Sequence, residues 1–290
     1  GSVEMIRFDM FLSRDVSSYK KSLMMNKKVH IVFIFLLLLL CASLFFLMKS
    51  DMLFTPDFGL SDAYHGNMSD KYHLSYSLKQ NKLPFWTDVL QGGDPFLAGW
   101  QTGGLFGINV LVLKLFSFNH AYNLLIIINF FLLSVGFYLL LKEFGISPLV
   151  SFLISISFAF NGAVSLRLIH FSIIQTFSLC PLLFYTAIKF VHTQRKIFIL
   201  LFPIILSQMI FAGFVQIVFM IIIGLLLFIF FYLKIERKYN IQKWYYSYGL
   251  LLGVIAIGIL FAMPQILPSL ELGGMIPRNL QLDYDTVTSF

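Results

Sequence analysis

A chain of 290 residues that is 58% hydrophobic and 12% charged, with a mean hydropathy of +0.83, lies outside the range of soluble domains, where roughly 45–50% of residues are apolar and about a quarter charged. Thirty-four phenylalanines set among long Ile/Leu runs point to lipid as the solvent. The net charge of +7 is split among short basic segments between apolar runs, which argues against nucleic acid as a partner and marks membrane topology instead.

Residues 1–28 form a basic N-terminal segment, read as cytoplasmic. The run 29–48 that follows is too long for a signal-peptide core and has no small-residue cleavage site behind it, so it reads as an uncleaved anchor. The runs 121–141, 149–165, 172–190, 197–211, 214–233 and 246–266 approach the roughly 20 apolar residues of a crossing. The fifth of the seven, 197–211, is short and needs Ala212 and Gly213, or a thinner bilayer, to cross. The run 105–118 is shorter still and carries Lys114, which suits an interfacial or re-entrant helix.

With seven crossings the basic segments 7–28, 142–148, 189–196 and 234–243 all fall on the cytoplasmic side. Asp57, Asp62, Asp70, Asp88, Asp94, Glu271, Asp283 and Asp285 then fall outside. The expected fold is an all-α polytopic membrane bundle of about seven spans, residues 29–290 forming one transmembrane domain. Its long extracytoplasmic first loop, within 49–120, carries short interfacial helices, one of them over 70–80 with Tyr72, Tyr76 and Lys79 on one side. The stop at Phe290 in a polar stretch reads as the N-terminal part of a longer protein. Cys41 and Cys180 lie inside apolar runs and read as packing residues, and Gly249 and Gly253 make a GxxxG expected to serve helix packing.

The first loop is long, aromatic and rich in Gly and Pro, the profile of a folded functional loop. Asp62 follows the first span closely enough to stay near the bilayer surface. A carboxylate there can take a proton from an attacking hydroxyl, or, with Ser61, simply cap a helix. Arg167 and His170, three residues apart at the end of the third run, can hold a phosphate or diphosphate; the alternative is that Arg167 snorkels to headgroups and His170 caps a helix. Gln216 can bond across helices or face a site. Trp86 and Trp100 are suited to stacking on sugars and equally to a membrane interface. Asn67-Met68-Ser69 is a weak glycosylation match. Walker, HExxH and GxSxG motifs and paired Cys/His clusters are missing, so soluble-nucleotide chemistry has no support. The scattered acidic residues make no metal site, although a divalent ion is left open, and no cofactor is expected.

The order Asp62, LKQNKLPFW (78–86) and QGGDPFLAGWQTGGLFGINVL (91–111), followed by FAFNGAVSLRLIH (158–170) and MPQILPSLELGGMIPR (263–278), resembles the bacterial YfhO-like membrane proteins. The resemblance runs from about Asp62 to the end. It departs at Ala212-Gly213-Phe214-Val215-Gln216, where the family has His and Pro beside the retained Gly and Gln, and at Phe106-Gly107, where it has Tyr-Pro. That family is similar to the GT-C glycosyltransferases, multispan enzymes that take a sugar from a polyprenyl-phosphate carrier on the outer face.

The resemblance implies a hexosyltransferase of the cell membrane, inverting at the anomeric carbon, that moves a sugar onto an envelope polymer such as a teichoic acid. Asp62 matches the expected base; Arg167, His170 and Arg278 are the candidates for the donor phosphate. His65, Trp86, Trp100, Gln101, Gln216 and Glu271 are the candidates for sugar or acceptor. The runner-up is a transporter or flippase of lipid-linked envelope precursors, and a third reading is a scaffold that binds partners through the loop. Transporters place charges or broken helices near the midplane, whereas the polar residues here gather at the outer surface.

Overall fold

The structure, a computed structural model, describes residues 27–47, 63–88, 92–193, 195–235 and 241–275. Among these residues it is helical with no strand; the sole β feature is an isolated bridge between Thr87 and Asp94. After α1 (Lys27–Leu47), the described part of the first loop holds a π-helical turn (Ala63–Met68), α2 (Ser69–Lys79), two 3-10 turns (Phe96–Ala98 and Trp100–Thr102) and α3 (Gly107–Leu115). Then come α4 (Phe118–Glu143), α5 (Pro148–Ala159), α6 (Gly162–Leu166), α7 (Phe171–Ser178), α8 (Cys180–Thr193), α9 (Lys196–Phe211), α10 (Val215–Ile235), α11 (Ile241–Phe261) and α12 (Met263–Met275).

Among the described residues four helical stretches are long and apolar enough to cross a membrane: Phe118–Glu143, Pro148–Ile169, Phe171–Thr193 and Val215–Lys234. A fifth arises if Tyr245–Phe261 and Met263–Met275, bent by 67° at their junction, make one broken span. Val29–Ser43 and Lys196–Phe211 are shorter apolar helices. The nine residues of α3 rise only about 13 Å, less than half the hydrocarbon thickness, so α3 alone does not cross.

Local chemistry explains the breaks. At the α5–α6 junction the Asn161 amide donates to Phe158 O at 2.6 Å and its Oδ1 accepts from Val164 N–H at 2.9 Å, closing one helix and capping the next. At the α7–α8 junction Pro181 lacks an N–H, and the ladder resumes with Leu183 N–H on Leu179 O at 2.9 Å. The expected helix over 70–80 is present, but its buried face is Lys71, Leu74, Ser75 and Leu78, while Tyr72 and Tyr76 are exposed.

Two apolar cores result. One joins α8 to α11 around Leu183, Phe202, Leu206, Leu225 and Leu251; the other joins α2, α3, α4 and α7 around Leu74, Leu113, Tyr122, Leu125 and Phe171. Close approaches use glycine. A Cβ on Gly136 of α4 would lie 2.9 Å from Leu182 Cγ, and one on Gly258 of α11 would lie 2.8 Å from Leu206 Cδ2. The expected role of the GxxxG is corrected here: nothing lies within 4 Å of a Cβ on Gly249 or Gly253, so α11 approaches α9 through Gly258. Cys41 is buried and Cys180 half-buried, both as free thiols.

The bundle has two chemically distinct ends. At one, His30 Nδ1 meets Tyr138 Oη at 2.9 Å, Lys189 pairs with Glu143 at 2.7 Å, and Tyr232 Oη meets His192 Nε2 at 2.7 Å. These contacts gather the N-terminal end of α1 and the C-terminal ends of α4, α8 and α10. The opposite end carries α2, α3 and the irregular segment between them.

Candidate functional site

The irregular segment is built on glycine and on borrowed hydrogen bonds. Thr87 and Asp94 exchange two backbone hydrogen bonds of 2.9 Å, with Gly93 at φ +127 where a Cβ would strike the Trp86 ring at 2.5 Å. Phe96, Leu97 and Ala98 are buried, and Gly103 at φ +60 ends the second 3-10 turn. Backbone carbonyls in such turns have no ladder to join, and away from water they must find partners in the protein.

Distant side chains supply them. Gln265 Nε2 donates to Leu97 O at 2.7 Å and Ser269 Oγ to Ala98 O at 2.7 Å, both from α12. Ser172 Oγ, in the first turn of α7, donates to Gln101 O at 3.0 Å, and Lys71 Nζ donates to Thr102 O at 2.5 Å. Asn109 Nδ2 donates to Gly103 O at 3.1 Å, and Asn109 pairs with Gln175 through both amides. Gly107 N–H donates to Gln208 Oε1 of α9 at 2.8 Å. Between α9 and α10, Gly213 at φ +100 presses on the segment so closely that a Cβ would lie 1.7 Å from Trp100 O. Residues 96–107 are therefore a hub tied to α2, α3, α7, α9, α12 and the α9–α10 turn.

A pocket of about 280 Å³ opens against this hub, lined by Gly66, Asn67, Asp70 and Gln101. Asn67 is 5% exposed and its Oδ1 accepts from Ser172 Oγ at 3.1 Å, so it is no accessible glycosylation acceptor. Gly66 and Gln101 are exposed and form the rim. Burial pushes the Asp70 carboxyl above the usual range, and Asp94 adds to this while Lys71 and His73 oppose it. Lys71 is fully buried, and desolvation brings its ammonium down to about 8 against the counter-pull of Asp70.

The residues singled out by sequence fall as follows. Gln101 lines the pocket. Asp62 and Arg278, and the side chain of His65, lie outside the described residues; the turn Ala63–Met68 that carries His65 also carries Gly66 and Asn67 of the pocket. Arg167 is exposed and opens a short 3-10 turn, and His170 ends it, its N–H on Arg167 O at 2.9 Å. The α-helix gives way to a 3-10 turn after Leu166, so the pair stands at the two ends of that one turn; the turn leads within two residues to Ser172, which holds Asn67 and Gln101. Trp86 is exposed, donates to Asp88 at 2.8 Å and covers Gly93. Trp100 packs half-buried on the α8–α11 core. Gln216 and Glu271 are exposed and outside the pocket lining, although their helices α10 and α12 bracket the hub.

Sequence reasoning missed Asn67, Asp70, Lys71, Asn109 and Gln175 as site and hub residues. For Lys71 a signal existed: it lies at i−3, i−4 and i−7 from Leu74, Ser75 and Leu78, on the apolar face. Among the described residues no group of three His, Cys, Asp or Glu could hold a metal ion. No family model, curated protein or solved structure matches the chain.

Proposed function

We propose that this chain is a membrane glycosyltransferase that moves a sugar from a polyprenyl-phosphate carrier to an extracytoplasmic envelope polymer such as a teichoic acid. In this reading all seven apolar runs cross, the N-terminus is cytoplasmic, and the hub end of the bundle faces outward. Asp62 deprotonates the acceptor hydroxyl, which attacks the anomeric carbon with inversion; Arg167, His170 and Arg278 receive the negative charge that develops on the departing lipid phosphate.

The observation that carries this reading is the pocket of Asn67, Asp70 and Gln101 at the loop end of an apolar bundle. It begins four residues after Asp62, and Ser172 ties it to the turn bearing Arg167 and His170. A hydroxyl-rich substrate suits such a lining, and a donor dissolved in the bilayer explains a site built at the end of membrane-length helices.

The broken pair α11–α12 is the one feature that favours a transporter, since discontinuous helices commonly make transport sites. Its polar groups, Gln265 and Ser269, are spent on the hub carbonyls. The test is sugar transfer from a purified polyprenyl-phosphate donor by the reconstituted protein, with Asp62→Asn alongside. Transfer that falls by two or more orders of magnitude in the variant is expected. Normal transfer by Asp62→Asn sinks the assignment of the base, and flux of lipid-linked sugar across proteoliposomes without transfer sinks the enzyme.

A further inference from the structure

We propose that the pocket bounded by Asn67, Asp70 and Gln101 is a binding site for a neutral, polyhydroxylated group of monosaccharide size, with Asp70 as the anchoring acceptor. The inference deepens the transferase reading and rests on it only for which sugar or polyol arrives; the binding itself can be read without transfer.

The donors and acceptors in the lining match hydroxyl groups. Asn67 is held against Ser172, whose single hydroxyl hydrogen is shared between Asn67 Oδ1 at 3.1 Å and Gln101 O at 3.0 Å, and the Asn67 amide nitrogen keeps its two N–H donors. Asp70 is half-buried and lines the pocket, no hydrogen bond from the described residues reaches its carboxylate, and a hydroxyl donor arriving there would supply one. Gln101 has its main chain tied by Ser172 while its side chain, at the exposed rim, offers one acceptor and two donors. A carboxylate flanked by amides accepts from one hydroxyl and donates to its neighbour.

Other ligand chemistries fit worse. An anion would meet the negative charge of Asp70, with Asp94 close enough to act on it electrostatically. Lys71, the cation that acts most on Asp70 among the described residues, is fully buried and directs its ammonium to Thr102 O. Among the described residues a divalent cation would find one carboxylate in the lining where several oxygen ligands are needed. The volume, about 280 Å³, is at the small end of ligand pockets, which run from roughly 300 to 1,000 Å³, and suits a single ring or a short polyol.

The experiment uses the full chain in nanodiscs and saturation-transfer NMR with glucose, N-acetylglucosamine, ribitol and glycerol as separate probes. Inorganic phosphate is followed in parallel by its ³¹P line width. Saturable binding of at least one neutral probe is expected, weakened at least tenfold in Asp70→Asn and several-fold in Gln101→Ala, and unchanged in the exposed control Asp88→Asn. Both test variants alter groups at or near the pocket mouth, and thermal unfolding midpoints that do not fall below the wild type show that the fold is intact. No saturable binding of any neutral probe, binding that survives both variants, or phosphate as the sole ligand would each overturn the proposal. Loss of transfer in Asp62→Asn with sugar binding intact bears on the catalytic assignment alone, whereas transfer with unchanged acceptor KM in Asp70→Asn counts against this site.

Discussion

Lys71 gives the most direct test of the hub. Its side chain is fully buried, and its ammonium is brought from the ordinary 10.5 down to about 8 by desolvation. At about 1.4 kcal/mol per pH unit, holding that charge costs the folded state roughly 3 kcal/mol relative to the unfolded chain. Below pH 8 both states carry the proton and the folded state bears the whole cost. Between pH 8 and 10.5 the folded state releases the proton while the unfolded chain keeps it, so stability rises with pH and the cost is gone above 10.5. Lys71→Met removes the titration and also the hydrogen bond to Thr102 O, whose loss leaves a buried carbonyl unpaired at about 1–3 kcal/mol. At pH 7 these two effects nearly cancel; the slopes do not. Reversible unfolding in mixed detergent micelles, followed by far-UV circular dichroism from pH 7 to 10, should show the wild type gaining 2–3 kcal/mol, by the same estimate, relative to the variant. Tyrosine and surface lysine titration is common to both proteins and drops out of the difference. Parallel curves would refute the argument that a charged Lys71 sits without water under the hub.

Three further outcomes follow from the geometry. Gly213→Ala places a Cβ 1.7 Å from Trp100 O at φ +100 and should destabilise by at least about 2 kcal/mol, whereas Gly249→Ala, with open space around it, should be neutral or stabilise by up to about 1 kcal/mol; thermal unfolding of the pair checks both. Gln265→Leu strips Leu97 O of its donor and should cost about 1–3 kcal/mol, with hydrogen exchange rising first across residues 96–104. Asp70 has its carboxyl raised by burial and by Asp94, so its charge destabilises the folded state at neutral pH; Asp70→Asn should be more stable than the wild type at pH 7, and the gain should start to shrink as pH falls through the raised value and be gone below the ordinary carboxylate value, read as unfolding midpoints from pH 7 to 3.

The apolar runs were legible because each is a local property: the shortness of 197–211 and the turn at Ala212–Gly213 lie within a few residues of their cause, whereas the break before Pro181 inside the run 172–190 was not read. Helix α2 was legible as an amphipathic element, and Tyr72, Tyr76 and Lys79 do share its exposed side, but nothing in the sequence reading pointed to the burial of Lys71 on the opposite face. What makes that burial tolerable is a carbonyl 31 residues away. Most of the other hub contacts are longer still, such as Gln265 to Leu97 across 168 residues, and an amide side chain carries no local sign of its partner. The GxxxG failed for a related reason: spacing shows that a close approach is possible, and only packing shows that Gly258 makes it.

The same wiring fixes the shape of the pocket. One hydroxyl, Ser172 Oγ, lies within hydrogen-bonding distance of both Asn67 Oδ1 and Gln101 O, so the first turn of α7 sets the separation of two of the lining residues. Gln101 is also the residue whose Cα lies 2.9 Å from the Cβ position of Gly213, which hands its placement to the α9–α10 turn as well. Asp70 is positioned from the other side, because its neighbour Lys71 anchors the first turn of α2 to Thr102 O. The polar lining is thus held by elements that pack into both apolar cores before any ligand arrives. Little side-chain ordering is left for binding to accomplish, which favours recognition of a small and weakly held group.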